Sequence, residues 1–194
     1  MKNITSNEIN FVLQILKNPK QDYNANSISK ELGISAMGAL KIARKLEKED
    51  ILVSKKLGKA IFYSINYKSD YAKQYLNFIL KKQAEQSNPY IKRWISEIRK
   101  IKNSNLAILF GSVLSKHDKA KDIDVLFVVS QKNFDELKKE IESINRLNDK
   151  KIHPVYQSKQ DLIENLNKED KIILNTIKGI VVFGEELFLD LLKK

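Results

Sequence analysis

A chain of 194 residues with 35 Lys and Arg against 24 Asp and Glu has room for two small domains, and its net charge of +11 favours an anionic partner. The absence of cysteine excludes disulfides, thiolate nucleophiles and cysteine-bound zinc. No apolar run reaches membrane-spanning length and residues 1–10 do not read as a signal peptide, so a cytoplasmic location and no membrane partner are expected.

The charge is uneven, at +8 over residues 1–84 and +3 over residues 85–194. In residues 7–17 the apolar positions Ile9, Val12, Leu13, Ile15 and Leu16 recur at helical spacing, and Asn18 and Pro19 end the pattern. A second short helix is predicted over residues 27–32, with Ile28 and Leu32 one turn apart. Gly33 suits the tight turn that follows, and Ser35 can cap a third helix through its hydroxyl. On that helix Ala39, Ile42, Ala43 and Leu46 form an apolar back, with Met37, Lys41, Arg44 and Lys48 roughly opposite. Residues 51–65 contain two β-prone runs around Gly58, which predicts a hairpin with Lys55, Lys56 and Lys59 at its tip.

Read from Ile28 to Ile65, the order of helix, turn glycine, helix and hairpin resembles the winged helix-turn-helix of many prokaryotic transcription regulators. The resemblance implies that the third helix enters the major groove of double-stranded DNA while the hairpin lysines neutralise phosphates. The DNA-binding residues it implies are Ser35, Met37, Lys41, Arg44, Lys45, Lys48, Lys55, Lys56 and Lys59. Taken singly, each lysine reads equally well as a solvated surface position.

Residues 70–83 and 90–101 are expected to form amphipathic helices, and polar residues 82–89 between them read as a linker. The first of these helices either pairs two protomers as a homodimer or packs on its own domain. The resulting division is a domain over 1–68, a connecting helix and linker over 69–88 and a second domain over 89–194.

In the second half, an apolar strand over residues 105–110 runs into Gly111 and Ser112, and a second strand over 123–130 begins beside Asp122 and Asp124. Two carboxylates two residues apart share one side of an extended strand, a placement suited to a divalent cation carrying phosphates. Gly111 allows close backbone approach, and Ser112 supplies a hydroxyl. Together these residues resemble the signature of the minimal nucleotidyltransferases in the polymerase-beta-like superfamily. That resemblance implies an α/β fold with a small mixed sheet, Gly111 and Ser112 on the phosphates of a nucleoside triphosphate such as ATP, and Mg²⁺ on Asp122 and Asp124. The family places a third carboxylate on the next strand, here residues 151–157, where no acid occurs and His153 is the nearest ionisable group. His117 and Asp118 are read as loop residues, and helices over 161–166, 168–177 and 185–192 around a strand at 180–183 complete the domain.

The functional expectation is a DNA-binding transcription regulator whose second domain binds a nucleotide with Mg²⁺, or a partner, with transfer activity weak or absent. Two alternatives stay open. One is a nucleotidyltransferase that modifies a protein or small molecule, as related antitoxins do, with His153 as base; the other is a protein-interaction module with both sites vestigial.

Overall fold

The computed structural model describes residues 4–193, so the reading of residues 1–10 lies partly outside them. Among the described residues the chain is mixed α/β, with ten α-helices and two sheets. It divides into two compact units, one of residues 1–79 with 192–194 and one of residues 80–191. The division at 79/80 falls inside a helix, and residues 82–85 continue that helix where a linker was expected.

In the first unit, helix α1 (Ser6–Leu16) opens with a capping box in which Thr5 and Glu8 satisfy each other's backbone N–H groups. Phe11, Val12 and Leu16 are fully buried along one face. A two-residue strand β1 (Tyr23–Asn24) then leads into α2 (Ala25–Leu32), which opens with a second such box between Asn24 and Ser27. Gly33 ends α2 at φ +63, and Ser35 caps α3 (Ala36–Lys48) by accepting the Gly38 N–H at 3.0 Å. Strands β2 (Leu52–Leu57) and β3 (Ala60–Ile65) form the hairpin, and β1 adds to the free edge of β3 in the order β1-β3-β2. The sequence pattern does not reveal β1, because two residues are too few to show an alternation.

Helix α4 (Asp70–Glu85) follows the hairpin. The second unit then takes α5 (Pro89–Ile98) into a four-stranded sheet of order β6-β5-β4-β7. Its strands are β4 (Leu106–Phe110), β5 (Ile123–Val128), β6 (Ile152–Gln157) and β7 (Ile180–Phe183). Strand β5 runs antiparallel to β4 and parallel to β6, and α7 (Phe134–Leu147) makes the crossover between β5 and β6. The short helix α6 (Val113–Lys116) lies between β4 and β5, whereas α8 (Lys159–Asn167), α9 (Lys171–Thr176) and α10 (Glu185–Leu192) come after β6. Ile91, Trp94, Ile95 and Ile98 of α5 share one core with Leu137, Ile141 and Ile144 of α7 and with Ala107, Leu109, Val125 and Phe127 of the sheet. The alternate strand residues Leu106, Ile108, Leu126 and Val128 are buried as well, so both faces of the sheet are covered.

Candidate functional sites

The α3 surface is built from the inside outward. Ala39, Ala43 and Leu46 are completely buried, which turns Met37, Lys41, Arg44 and Lys48 to solvent as one helical stripe. Met37 is 62% exposed, an unusual position for a large apolar side chain next to cations. Ser35, at the start of that stripe, is exposed while its hydroxyl oxygen is occupied as the helix cap.

Lys45 is placed differently from its neighbours. Its ammonium donates to buried Glu8, the same carboxylate whose other oxygen accepts the Thr5 N–H at 2.8 Å. Burial raises the Glu8 pKa, but the hydrogen bonds from Lys45 and Thr5 outweigh it and hold the acid below its ordinary range. The same bond holds Lys45 above its ordinary value against a smaller effect of burial. Lys45 therefore ties α3 to the start of α1. Sequence spacing alone places it beside the exposed cations, and nothing in the local pattern names Glu8, 37 residues earlier, as its partner.

On the hairpin, all three expected lysines are exposed, yet they do not share one face. Lys55 lies opposite Phe62 and Lys56 opposite Ile61 in the antiparallel ladder, and consecutive strand residues point to opposite sides. Lys59 lies in the connecting turn beside Gly58, whose φ is +60. The apolar residues Val53, Leu57 and Ile61 are exposed among them, each between 43% and 48%.

In the second unit, β4 ends at Phe110 and the chain turns at Gly111 with φ +79. A Cβ on Gly111 would lie 2.1 Å from Asp124 Oδ2, so both the backbone angle and the nearby carboxylate require glycine. Ser112 follows, and its hydroxyl makes no capping bond to α6. Asp124 is the second residue of β5, opposite Phe110 on one side and His153 of β6 on the other. The His153 Nδ1 lies 3.3 Å from Asp124 Oδ1, with the imidazole side chain 72% exposed and the carboxylate 27% exposed. Gly111, Asp124 and His153 thus converge at one end of the sheet.

Asp122 is not on the strand. It lies in the bend before β5 and is exposed, as is Asp149 on the approach to β6. Among the described residues no group of three or more His, Asp or Glu side chains gathers to hold a metal ion. The space beside Gly111 is taken by the Asp124 carboxylate, so glycine is what lets that side chain lie against the turn. Two Mg²⁺ ions call for several oxygens, and at this strand end the Asp124 carboxylate has the His153 imidazole as its neighbour.

His117, expected in a loop, begins a 3-10 turn at φ +51, and its buried Nδ1 has no hydrogen-bond partner. Nothing in the sequence marks that backbone conformation.

No protein-family model matches the chain, and no curated protein does. Solved structures of Lactococcus lactis ZitR are weak structural neighbours. A cysteine-to-serine mutant of ZitR aligns at TM-score 0.32 and 15% identity, covering 52% of this chain and 73% of that one. A glutamate-to-alanine mutant aligns at TM-score 0.32 and 16% identity, covering 51% and 73%. No helix among the described residues is long and apolar enough to cross a membrane.

Proposed function

We propose that this protein is a DNA-binding transcription regulator with a nucleotide-responsive second domain. Residues 1–68 act as a winged helix-turn-helix, residues 69–88 connect, and residues 89–194 act as a nucleotidyltransferase-like domain. The observation that carries the reading is the solvent-facing stripe Met37, Lys41, Arg44 and Lys48 on a helix whose opposite side is fully buried. A stripe of that kind fits the major groove, and the Met37 side chain offers an apolar contact beside three cations. The hairpin cations supply phosphate contacts. Because Lys55 and Lys56 point to opposite sides, one face of the hairpin approaches DNA with Lys59 and the other stays in solvent. Lys45 takes no part in the contact, since its charge is engaged by Glu8.

Anisotropy titrations of the full chain on duplex DNA across a salt series test this reading. Neutralising Lys59 together with the hairpin lysine that faces DNA should lower the salt slope by about one for each phosphate no longer neutralised, on every sequence. Changing Lys55 and Lys56 singly should give unequal effects. Lys41→Ala or Arg44→Ala should change the ranking of sequences by about 1–3 kcal/mol where the side chain reaches a base edge. Affinity and salt slope unchanged in all these variants would reject DNA binding by this surface.

The second domain is assigned a nucleotide at the Gly111 turn, with Ser112 as a phosphate donor and Asp124 beside it. An enzymatic reading is favoured by one observation, the His153 imidazole seated next to Asp124 where a neutral nitrogen could accept a proton from an acceptor hydroxyl. The single strand carboxylate weighs against two-metal transfer. Incubation with Mg²⁺ and α-labelled ATP decides between them: rapid labelling of a co-purified protein by the unmodified chain would establish the transferase, and nucleotide binding without label transfer supports the sensor.

A further inference from the structure

The end of the second sheet away from Gly111 and Asp124 holds a separate cavity of about 730 Å³. Strand β4 is antiparallel to both β5 and β7, and β6 is parallel to β5, so β5, β6 and β7 run in one direction. Their carboxyl ends meet beside the start of β4, and the cavity opens there. In α/β sheets the crevice beyond such strand ends is where ligands bind, and pockets for small molecules measure roughly 300–1,000 Å³. Val128 and Val129 from the end of β5 and Leu187 of α10 give this cavity an apolar part. Its polar part includes Ser130, whose hydroxyl oxygen is buried without a hydrogen-bond partner and does not cap the 3-10 turn that follows it. An unpaired buried hydroxyl is unfavourable, and rotation about one bond would offer it to a polar group in the cavity. Two charges on different helices complete the lining, Lys159 at the first position of α8 and Glu186 at the second position of α10. Both are exposed, and neither forms an ion pair among the described residues. The capping box of α8 engages the Ser158 N–H and hydroxyl with Asp161, and leaves the N–H groups of Lys159 and Gln160 without a partner inside the helix.

We infer that this cavity binds a small zwitterion with an apolar body, of the amino-acid or short-peptide class. Its carboxylate lies at Lys159 and the start of α8, and its ammonium lies at Glu186. A simple anion entering the cavity meets Glu186, and a simple cation meets Lys159 and the positive end of the α8 dipole. A molecule carrying both charges finds a complement for each. The apolar body between them covers Val128, Val129 and Leu187, and a polar atom along it pairs with the Ser130 hydroxyl. The site is independent of the nucleotide reading of the Gly111 turn, which lies at the other end of the sheet.

The test titrates the full chain with L-leucine and with L-leucyl-L-leucine in a calorimeter. Saturable binding is expected, and the tighter of the two tells a free amino acid from a peptide as the occupant. N-acetylation of that ligand removes its ammonium and amidation removes its carboxylate, and each should weaken binding severalfold, the size expected for charge pairs open to water. Lys159→Met should weaken the free ligand severalfold and leave the amide unchanged. Glu186→Gln should weaken the free ligand and leave the N-acetyl form unchanged. Both side chains are exposed, so neither variant disturbs the core. In ¹⁵N–¹H spectra the ligand should shift the amides of Val129, Ser130 and Leu187 most. Absence of saturable binding by both ligands, binding indifferent to capping and to both charge variants, or shifts centred on another part of the chain would overturn the inference.

Discussion

The front of α3 and the strand end around Asp124 are opposite kinds of candidate site. On α3, several exposed side chains each project from a well-packed helix, and none of the stripe residues depends on another for its position. At Asp124, three residues from three different segments constrain one another at close range. A distributed electrostatic surface loses affinity in increments as charges are removed. A small constellation fails at once when its geometry is disturbed.

The largest expected effect follows from that second property. Gly111→Ala places a methyl group 2.1 Å from Asp124 Oδ2 and an L-residue at φ +79, so it should abolish ATP binding and destabilise the second unit by about 1–3 kcal/mol. In the Gly111→Ala, Asp124→Ala double variant the clash is gone and only the backbone cost remains. Thermal melts should therefore show the double variant more stable than Gly111→Ala alone. Additive losses would mean that the turn and the carboxylate do not touch in solution.

A smaller effect is expected at Lys45, the one expected DNA contact whose charge is turned to a structural partner. Lys45→Met or Glu8→Gln should cost on the order of 2 kcal/mol of stability while leaving the salt slope of DNA binding unchanged. The pH dependence has a definite sign. Glu8 sits below its ordinary pKa when folded, so its contribution is present above the usual carboxylate range and is lost as pH falls through the lowered value. Lys45 sits above its ordinary pKa, so its contribution is present below the usual ammonium range and is lost as pH rises through the raised value. Denaturant melts of the unmodified chain and both single and double variants should give a coupling energy that is full near neutrality and declines at both extremes. A coupling that ignores pH would dissolve the ion pair.

The smallest effect concerns His117, which belongs to neither site and is strained all the same. His117→Gly relieves φ +51 and removes a buried nitrogen without a partner, so it should be neutral or stabilising by up to about 1 kcal/mol. A clear drop in stability would mean that the imidazole makes a contact worth more than the strain it carries.

Much of the local architecture is legible in the sequence because it depends on neighbours in the chain. Helical spacing of apolar residues locates α1, α3 and α5, Gly33 marks the turn before α3, and the apolar runs at 106–110 and 123–128 mark two strands. Helix α7, which the sequence reading leaves unassigned, has three buried residues, Leu137, Ile141 and Ile144, at spacings of four and three, an amphipathic signal that could have located it. Strand β1 carries no such signal, since its two residues are held by pairing with Phe62 and Tyr63 far along the chain.

The candidate residues divide in the same way. The sequence by itself determined which face of α3 is cationic, because helix periodicity sorts Lys41, Arg44 and Lys48 from Ala39, Ala43 and Leu46 without reference to the rest of the protein. Only tertiary structure decided that Lys45 belongs to Glu8, that Lys55 stands opposite Phe62 and Lys56 opposite Ile61 in the hairpin, and that His153 stands against Asp124. The physical reason is common to all three. Strand register and side-chain pairing are set by contacts between segments distant in the chain, and a one-residue change in where a strand begins moves a side chain to the other face or off the sheet altogether.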